Sequence, residues 1–517
     1  MRNLKKLLVL VVALVLATSL MLTGCGGSEK AAESTTPAPA SGSAAEGSAV
    51  ASATVPAEAY QLDWYFMGGS EPQDLALIES KIGEYLKDKI NATVKMNILD
   101  WANYQQKMGA MLVAGQKFDI CFTSSWFLDY PKNSQDGYFV ELNQYTDNIL
   151  KPTWDMLKST MGEEFLNGSK INGKNYAIPT AKEGARHWGF VYNKTMAEKY
   201  KFDMSTIKKF EDIEPMLKTV KENEPSDVVP LFNDANLNLG FIPWNATMPD
   251  AVGQLKDGKW VNQYETPEYK AGYELIRDYY NKGYIQKDAA TTKDGPTIRT
   301  AGKFFAFAVN LRPGYADEQS VSTKANGFVL GQVDVTEPVI TNSETMGGME
   351  AISVTSENPE RAAMFLNLYN TDPYLNNLIV YGIEGKHYKK VSDNIIDTIP
   401  DSGYGPDNQW KFGNQFLNYL SSTEDPKKWD NYKVYNAKGK QIEGVGFIFD
   451  YVKGNVQNER ASTDQVVAEF HPAMEVGSLD VNKALPEFIS KLKAAGSDKL
   501  VEEMNKQYDE WKAANNK

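Results

Sequence analysis

The residues Tyr60-Gln-Leu-Asp-Trp-Tyr-Phe-Met67 form a run of apolar and aromatic side chains that predicts a β-strand. Apolar residues then recur at helical spacing through 75–86, and alternating apolar residues at 94–98 predict a second strand. A second helical face ends at Gly115 and is followed by a third strand, Phe118-Asp-Ile-Cys-Phe-Thr123. The order strand, helix, strand, helix, strand predicts a parallel sheet in an α/β fold.

The carboxyl ends of these strands are where an open α/β sheet binds its ligands. They are followed by Gly68-Gly69, by Asp100-Trp101 and by Ser124-Ser125-Trp126. The aromatic and hydroxyl groups in these turns suit a neutral polar ligand. The first turn, Met67-Gly-Gly-Ser-Glu-Pro72, lacks the further glycines of a dinucleotide-binding loop, so we expect no nicotinamide, flavin or other cofactor.

Length and composition indicate a soluble protein of two lobes. The chain has 517 residues, of which 42% are hydrophobic and 23% charged, and this length exceeds what one compact core accommodates. Without the three basic residues of residues 1–24, 51 Lys and Arg remain against 67 Asp and Glu, a formal charge of −16. This balance excludes nucleic acid as a partner, and two cysteines exclude a disulfide framework.

The N-terminus has the pattern of an exported, lipid-anchored protein. Basic residues precede the apolar run Leu7–Leu22, as in a secretory signal peptide, here residues 1–24. The run closes with Leu22-Thr-Gly-Cys25, which resembles the bacterial lipobox. That resemblance implies that Cys25 carries diacylglycerol and fatty acids such as palmitate. Residues 25–59 are rich in Ala, Ser, Gly, Thr and Pro, which predicts a flexible linker from this anchor.

A turn pattern in the middle of the chain and a helical pattern near its C-terminus predict local structure without indicating function. Lys256-Asp-Gly-Lys259 is a strong β-hairpin turn signal between two extended runs. Residues 485–495 and 500–511 predict two amphipathic helices that are separated at Gly496-Ser497.

Several stretches together resemble the family-1, carbohydrate-type extracellular solute-binding proteins of bacterial ABC importers. The opening stretches are Asp100-Trp-Ala-Asn-Tyr-Gln-Gln-Lys107, Ala114-Gly-Gln-Lys-Phe-Asp-Ile120 and Gly173-Lys-Asn-Tyr-Ala-Ile-Pro179. The C-terminal third is similar to the LplA-type lipoprotein subgroup, in Tyr381-Gly-Ile-Glu-Gly-Lys-His-Tyr388, Asn408-Gln-Trp-Lys-Phe-Gly-Asn-Gln415 and Lys491-Leu-Lys-Ala-Ala-Gly496. The resemblance extends over nearly the whole chain.

This resemblance implies a two-lobed fold of the periplasmic-binding-protein type II. Each lobe is expected to be a mainly parallel sheet flanked by helices, with the ligand in a cleft between the lobes. We place lobe 1 at 60–180 and 346–385, and lobe 2 at 181–345 and 386–517.

The same resemblance implies a transport function without catalysis. A monomer on the outer face of the cytoplasmic membrane would capture an oligosaccharide, close over it by a hinge motion and deliver it to the permease subunits of an ABC transporter. ATP would be hydrolysed by other subunits.

A sugar site needs flat aromatic platforms and a rim of hydrogen-bonding groups. Tryptophans in polar, loop-like contexts are the candidate platforms: Trp126, Trp188, Trp244 and Trp410. Polar residues nearby are the candidate partners for sugar hydroxyls: Asp100, Ser125, Arg186 and Asn310.

The sequence leaves several alternatives open. The ligand could be a peptide or another small organic solute, and the protein could be an adhesin or a sensor subunit. A surface glycoside hydrolase would need two carboxylates roughly 5 to 10 Å apart, and no catalytic motif indicates such a pair. His187, His387 and His471 lack the spacing of metal ligands, so we predict no metal site.

Overall fold

The computed structural model describes residues 55–233, 252–292, 295–323, 326–405 and 409–515. Its strands are β1 (Tyr60–Gly68), β2 (Ala92–Asp100), β3 (Ile120–Thr123), β4 (Ala177–Pro179), β5 (His187–Asn193), β6 (Val229–Leu231), β7 (Gly253–Lys256), β8 (Lys259–Asn262), β9 (Phe304–Leu311), β10 (Leu330–Asp334), β11 (Val339–Ile340), β12 (Met349–Ile352), β13 (Tyr388–Lys390), β14 (Ile395–Thr398), β15 (Leu420–Ser421) and β16 (Lys440–Gln441).

Its helices are α1 (Leu75–Ile90), α2 (Trp101–Val113), α3 (Tyr130–Gln135), α4 (Asn143–Thr146), α5 (Lys151–Met161), α6 (Glu163–Gly168), α7 (Lys194–Tyr200), α8 (Glu214–Asn223), α9 (Pro267–Asn281), α10 (Gly295–Thr300), α11 (Tyr315–Thr323), α12 (Asn342–Thr345), α13 (Pro359–Thr371), α14 (Pro373–Tyr381), α15 (Lys428–Lys438), α16 (Gln457–Glu475), α17 (Val481–Ala494) and α18 (Ser497–Ala514).

The first sheet contains the predicted parallel alternation. Its strand order is β2-β1-β3-β12-β4, and β1 pairs in parallel with both β2 and β3. The late strand β12 lies between β3 and β4 and is antiparallel to both. The parallel pairing predicted for residues 60–123 is therefore confirmed.

Helix α1 shows why these residues form the crossover. Its buried side chains Leu75, Ile78, Ile82 and Leu86 recur on one face, which packs against the sheet. The helix ends at Asn91, whose φ of 46° is left-handed and which starts the turn into β2.

The second sheet departs from the expectation of a mainly parallel sheet in each lobe. Its order is β10-β5-β9-β6, and β5 is antiparallel to both β9 and β10, while β6 is parallel to β9. Central strand β5 approaches β10 so closely that a Cβ on Gly189 would lie 2.1 Å from the backbone oxygen of Val333. Only glycine fits there, and the prediction of a parallel second sheet is wrong.

Each of these two sheets contributes side chains to a large hydrophobic core of its own. The first joins side chains of the first sheet with α1, α2, α13 and α14. The second joins β5 and β9 with α8, α9, α16 and α17. A smaller cluster, including Trp260, Phe447 and Tyr508, packs the β7–β8 hairpin against α18. The lobe boundaries given above stay a prediction.

The predicted hairpin at 256–259 and the two predicted C-terminal helices are confirmed. Strands β7 and β8 form the hairpin, with Asp257 and Gly258 at positive φ in its turn. Helices α17 and α18 are separated at Gly496, whose φ is 100°. Among the residues that the structure describes, no helix is both long and apolar enough to cross a membrane.

Candidate functional site

A cavity of about 270 Å³ lies between residues that flank strands of the first sheet and residues that flank strands of the second sheet. One wall is formed by residues that follow β3 and residues that precede β12. The other wall is formed by residues that precede β5 and residues at the end of β9. The side chains and backbone that line it are Trp126, Lys182, Glu183, Ala185, Arg186, Asn310, Leu311, Arg312, Ser343, Glu344, Gly347 and Trp410. A cleft between two sheets, at the carboxyl end of β3, is the position expected for a ligand.

Trp126 is a fixed aromatic platform in this cavity. Its indole Nε1–H donates a hydrogen bond to the backbone oxygen of Gly347 at 2.8 Å. The ring stacks on Phe127, with centroids 5.4 Å apart and an interplanar angle of 26°. Half of the residue, 51%, is nevertheless exposed. An apolar face held in place and left open suits stacking on a sugar ring.

Trp410 continues the aromatic surface beside Trp126. The two ring centroids are 5.8 Å apart, and Trp410 also packs at 6.1 Å from Trp101 and at 5.9 Å from Phe122. Trp101 and Phe127 belong to residues packed against the first core. The first core thereby orients both platforms before any ligand arrives.

The charged groups of the cavity occur as opposite pairs. Lys182 Nζ lies 2.9 Å from a carboxylate oxygen of Glu183, and Arg186 pairs with Glu344. Burial opposes ionisation of Glu183, yet the charges of Lys182 and Arg312 lower the pKa of its carboxyl below the ordinary value. Paired charges can form hydrogen bonds with a ligand while the pair itself has no net charge, so the ligand needs no opposite charge.

Arg312 is held from behind by a small ion-pair network. Its Nε donates to the hydroxyl of Tyr432 at 3.1 Å, and its guanidinium pairs with Glu318 at 2.5 Å. Glu318 also pairs with Lys428 at 2.9 Å. The network joins the end of β9 to α11 and α15, and so fixes the cavity wall that carries Asn310.

Four of the residues selected from the sequence come together here. Trp126 and Trp410 provide the aromatic wall, and Arg186 and Asn310 line the opposite side. Ser125 lies next to them but lines a second, larger cavity, and its backbone N–H donates to the oxygen of Met346 at 2.9 Å.

The remaining selected residues are not brought to this cavity. Trp188 is 7% exposed and packs in the second core, because β5 is central in its sheet. Asp100 caps α2: its carboxylate accepts hydrogen bonds from the backbone and side chain of Asn103, which lower its pKa. Trp244 and Cys25 lie outside the described residues.

Glu344 is a cavity residue that the sequence reasoning missed. It lies in the short α12, where Thr341 and Glu344 form a capping box. The spacing Thr-x-x-Glu was a readable signal for this helix start. Nothing in the local sequence shows that Glu344 would face Arg186, because the two are separated by the whole second sheet.

Comparison with known proteins gives two family matches. The family described as bacterial extracellular solute-binding protein matches residues 68–334. A domain of unknown function, DUF3502, matches residues 443–513.

Relatives and solved structures agree with the first match. A carbohydrate ABC transporter substrate-binding protein of Streptococcus pneumoniae is 30% identical over 86% of this chain and 89% of its own length. Lipoprotein LipO of Bacillus subtilis is 21% identical over 81% of this chain and 87% of its own length.

Crystal structures of the N-glycan transport solute-binding protein NgtS of Streptococcus pneumoniae have 28% identity and cover 87% of this chain. The one described without a glycan has a TM-score of 0.77 and covers 98% of NgtS. The complex with Man1GlcNAc has 0.70, covering 99%, and that with Man5GlcNAc has 0.67, covering 98%. The two-lobed fold and the resemblance stated from the sequence are thereby confirmed.

Proposed function

From the premise that this chain belongs to the bacterial extracellular solute-binding proteins, we propose that it captures an oligosaccharide outside the cytoplasm and delivers it to an ABC permease. The cleft closes over the ligand by a hinge motion, and the closed form docks on the membrane subunits. Relatives named for carbohydrate and N-glycan transport support a glycan as the ligand.

The half-exposed, anchored ring of Trp126 is the observation that carries this proposal. A sugar presents an apolar C–H face and a rim of hydroxyls, and the cavity offers the matching groups. Trp126 and Trp410 provide the apolar surface, and Arg186 and Asn310 provide hydrogen-bonding groups across from it.

The pairing of charges supports a neutral glycan. Lys182, Arg186 and Arg312 each have a carboxylate partner. Among the described residues that line this cavity, no unpaired cation is left for a carboxylate or phosphate of the ligand. An anionic ligand would have to break one of these pairs at an energetic cost.

Binding without hydrolysis fits the carboxylates of the cavity. A glycosidase needs one carboxylic acid that keeps its proton near neutral pH, together with a second carboxylate. The pKa of Glu183 is lowered by its cationic neighbours, and Glu344 pairs with Arg186. Neither group is placed to act as the acid.

Titration with a glycan panel tests the proposal. Tryptophan fluorescence of a soluble form, Tyr60–Lys517, is followed as neutral mono- and oligosaccharides, uronates and peptides are added. We expect a saturable change with one class of neutral oligosaccharide, recovered intact after dialysis. Saturation by peptides alone would contradict sugar capture. Release of shortened products would contradict the absence of hydrolysis.

Attachment to the outer face of the membrane is the second part of the proposal. The lipobox-like Leu22–Cys25 and the relative named as a lipoprotein support a diacylglycerol anchor on Cys25. The substitution Cys25→Ala should move the protein from the membrane fraction to the medium. Unchanged retention in the membrane would refute the anchor.

The division into lobes at 60–180 with 346–385, and 181–345 with 386–517, remains part of this proposal. The first core supports the first lobe, but it also includes seven residues that this division assigns to the second lobe: Ala181, Ala185, Ile340, Tyr388, Ile396, Phe412 and Tyr435. Limited proteolysis, which cuts exposed segments between compact units, would place the boundary.

A further inference from the structure

A second cavity, of about 600 Å³, lies between the first core and the C-terminal part of the chain. One wall is formed by Ser125, Met346 and the residues of α3. The other wall is formed by residues 444–464, which fall within the segment 443–513 matched by the domain of unknown function. Its volume is within the roughly 300–1,000 Å³ typical of small-molecule sites.

The two cavities adjoin each other. Ser343 of α12 lines both, and the neighbours Ser125 and Trp126 line the larger and the smaller cavity respectively. The two cavities thus share a wall at Ser343, which places the larger cavity next to a sugar ring on Trp126.

The walls of the larger cavity have the chemistry of a sugar site. The partly buried Tyr451 packs on the buried Phe449, with ring centroids 4.8 Å apart, and the guanidinium carbon of Arg460 lies 3.8 Å above the Tyr451 ring. Gln457 adds an amide at the margin. The stacked Tyr451–Arg460 pair offers a planar group with hydrogen-bond donors at its edge, which matches the faces and hydroxyls of pyranose rings.

Charge favours an uncharged occupant in this cavity. Four carboxylates line it, against two cations, Lys132 and Arg460. The cations are paired with Asp136 and Asp464, which leaves Asp129 and Asp450 in excess. A uronate-containing glycan would meet a repulsive field there, whereas a neutral glycan would not.

We propose that the segment 443–513 is a glycan-binding element, which receives the sugar residues that extend beyond the ring on Trp126. The assignment rests on the proposed function and specifies it: the ligand is a neutral oligosaccharide long enough to occupy both cavities. Affinity therefore rises with glycan length, and the gain depends on the larger cavity alone.

Filling the larger cavity tests this assignment without removing any core side chain. Ala461 lines the cavity on α16 and is exposed, so Ala461→Trp places an indole at its wall. Ala468 is also exposed and lies on the same helix, about two turns later, outside the cavity lining. Ala468→Trp is the matched control.

The measurement is calorimetric titration of the whole protein with Man1GlcNAc and Man5GlcNAc. We expect wild type and A468W to bind Man5GlcNAc at least tenfold more tightly than Man1GlcNAc. In A461W that advantage should disappear while the affinity for Man1GlcNAc stays unchanged.

Other outcomes separate the two levels of the proposal. Equal affinity of the two glycans for wild type, or A461W retaining the full advantage, would overturn the role of segment 443–513 and leave glycan capture intact. The same loss in A468W would also overturn it. Failure of both glycans, and of every sugar in the panel, to bind wild type would refute the proposed function and the inference together.

Discussion

Removing the platform ring, by Trp126→Ala, should weaken glycan binding about tenfold. Trp126 is 51% exposed, and a large aromatic residue buries about 150–250 Å² when it is fully covered, so about 125 Å² is available to a ligand. At about 25 cal/mol per Å² that area is worth roughly 3 kcal/mol. A sugar ring covers only one face, which leaves about 1.5 kcal/mol, or about tenfold in Kd.

The assay is calorimetric titration with the tightest glycan of the panel, and Tyr374→Ala is the matched control. Tyr374 is 54% exposed and packs on Tyr85 at 4.6 Å, and it lines neither cavity. Trp126→Phe keeps an aromatic face but loses the hydrogen bond to Gly347, so its Kd should be intermediate. An unchanged Kd in W126A, or an equal change in Y374A, would refute the reasoning.

Three further predictions concern stability. Glu344→Gln should lower the free energy of unfolding in urea by about 2 kcal/mol, because Arg186 loses its partner at a largely buried position, and adding Arg186→Met should recover part of that loss. Trp188→Ala should cost about 3–5 kcal/mol in the same assay and change the glycan Kd little while the protein stays folded, because this ring is in the core; a selective loss of affinity would contradict that placement. Burial raises the pKa of Glu475 to about 8 and lowers the pKa of His471, whose Nε2 lies 3.3 Å away, to about 4. Below about pH 6.5 the two shifts change stability in opposite directions, because His471 binds its proton more readily when unfolded and Glu475 when folded. Above that pH only the Glu475 effect remains, and stability is lost as the pH rises to about 8. Glu475→Gln should flatten this loss between pH 6 and 9, and an unchanged slope would contradict it.

The sequence predicted the elements that depend on local pattern. In residues 60–123 the spacing of apolar residues alternates between that of a strand and that of a helix. Asp257-Gly258 and Gly496 mark turns by their residue types, which tolerate positive φ. Each of these elements could therefore be predicted without the rest of the chain. Trp126 could be selected because it follows a strand at the carboxyl edge of a parallel sheet.

What the sequence did not predict depends on distant pairing. Trp188 follows the polar stretch Glu183-Gly-Ala-Arg-His187, which suggested a loop, but β5 pairs on both sides and buries it. The antiparallel second sheet has the same origin, since its strand directions follow from which edges meet and not from any local period. Glu344 and Arg186 likewise meet only after both sheets have formed.

Strand β12 has a consequence for the order of folding. Met349 pairs with both Thr123 and Pro179, and all strands of the second sheet are synthesised between those residues and β12. Closing so long a segment is entropically slow, and until β12 arrives β3 and β4 each present a bare edge that another chain can pair with. A nascent chain that stops before Met349 is therefore at its most prone to aggregation, and a chaperone that shields strand edges would act most usefully in that interval.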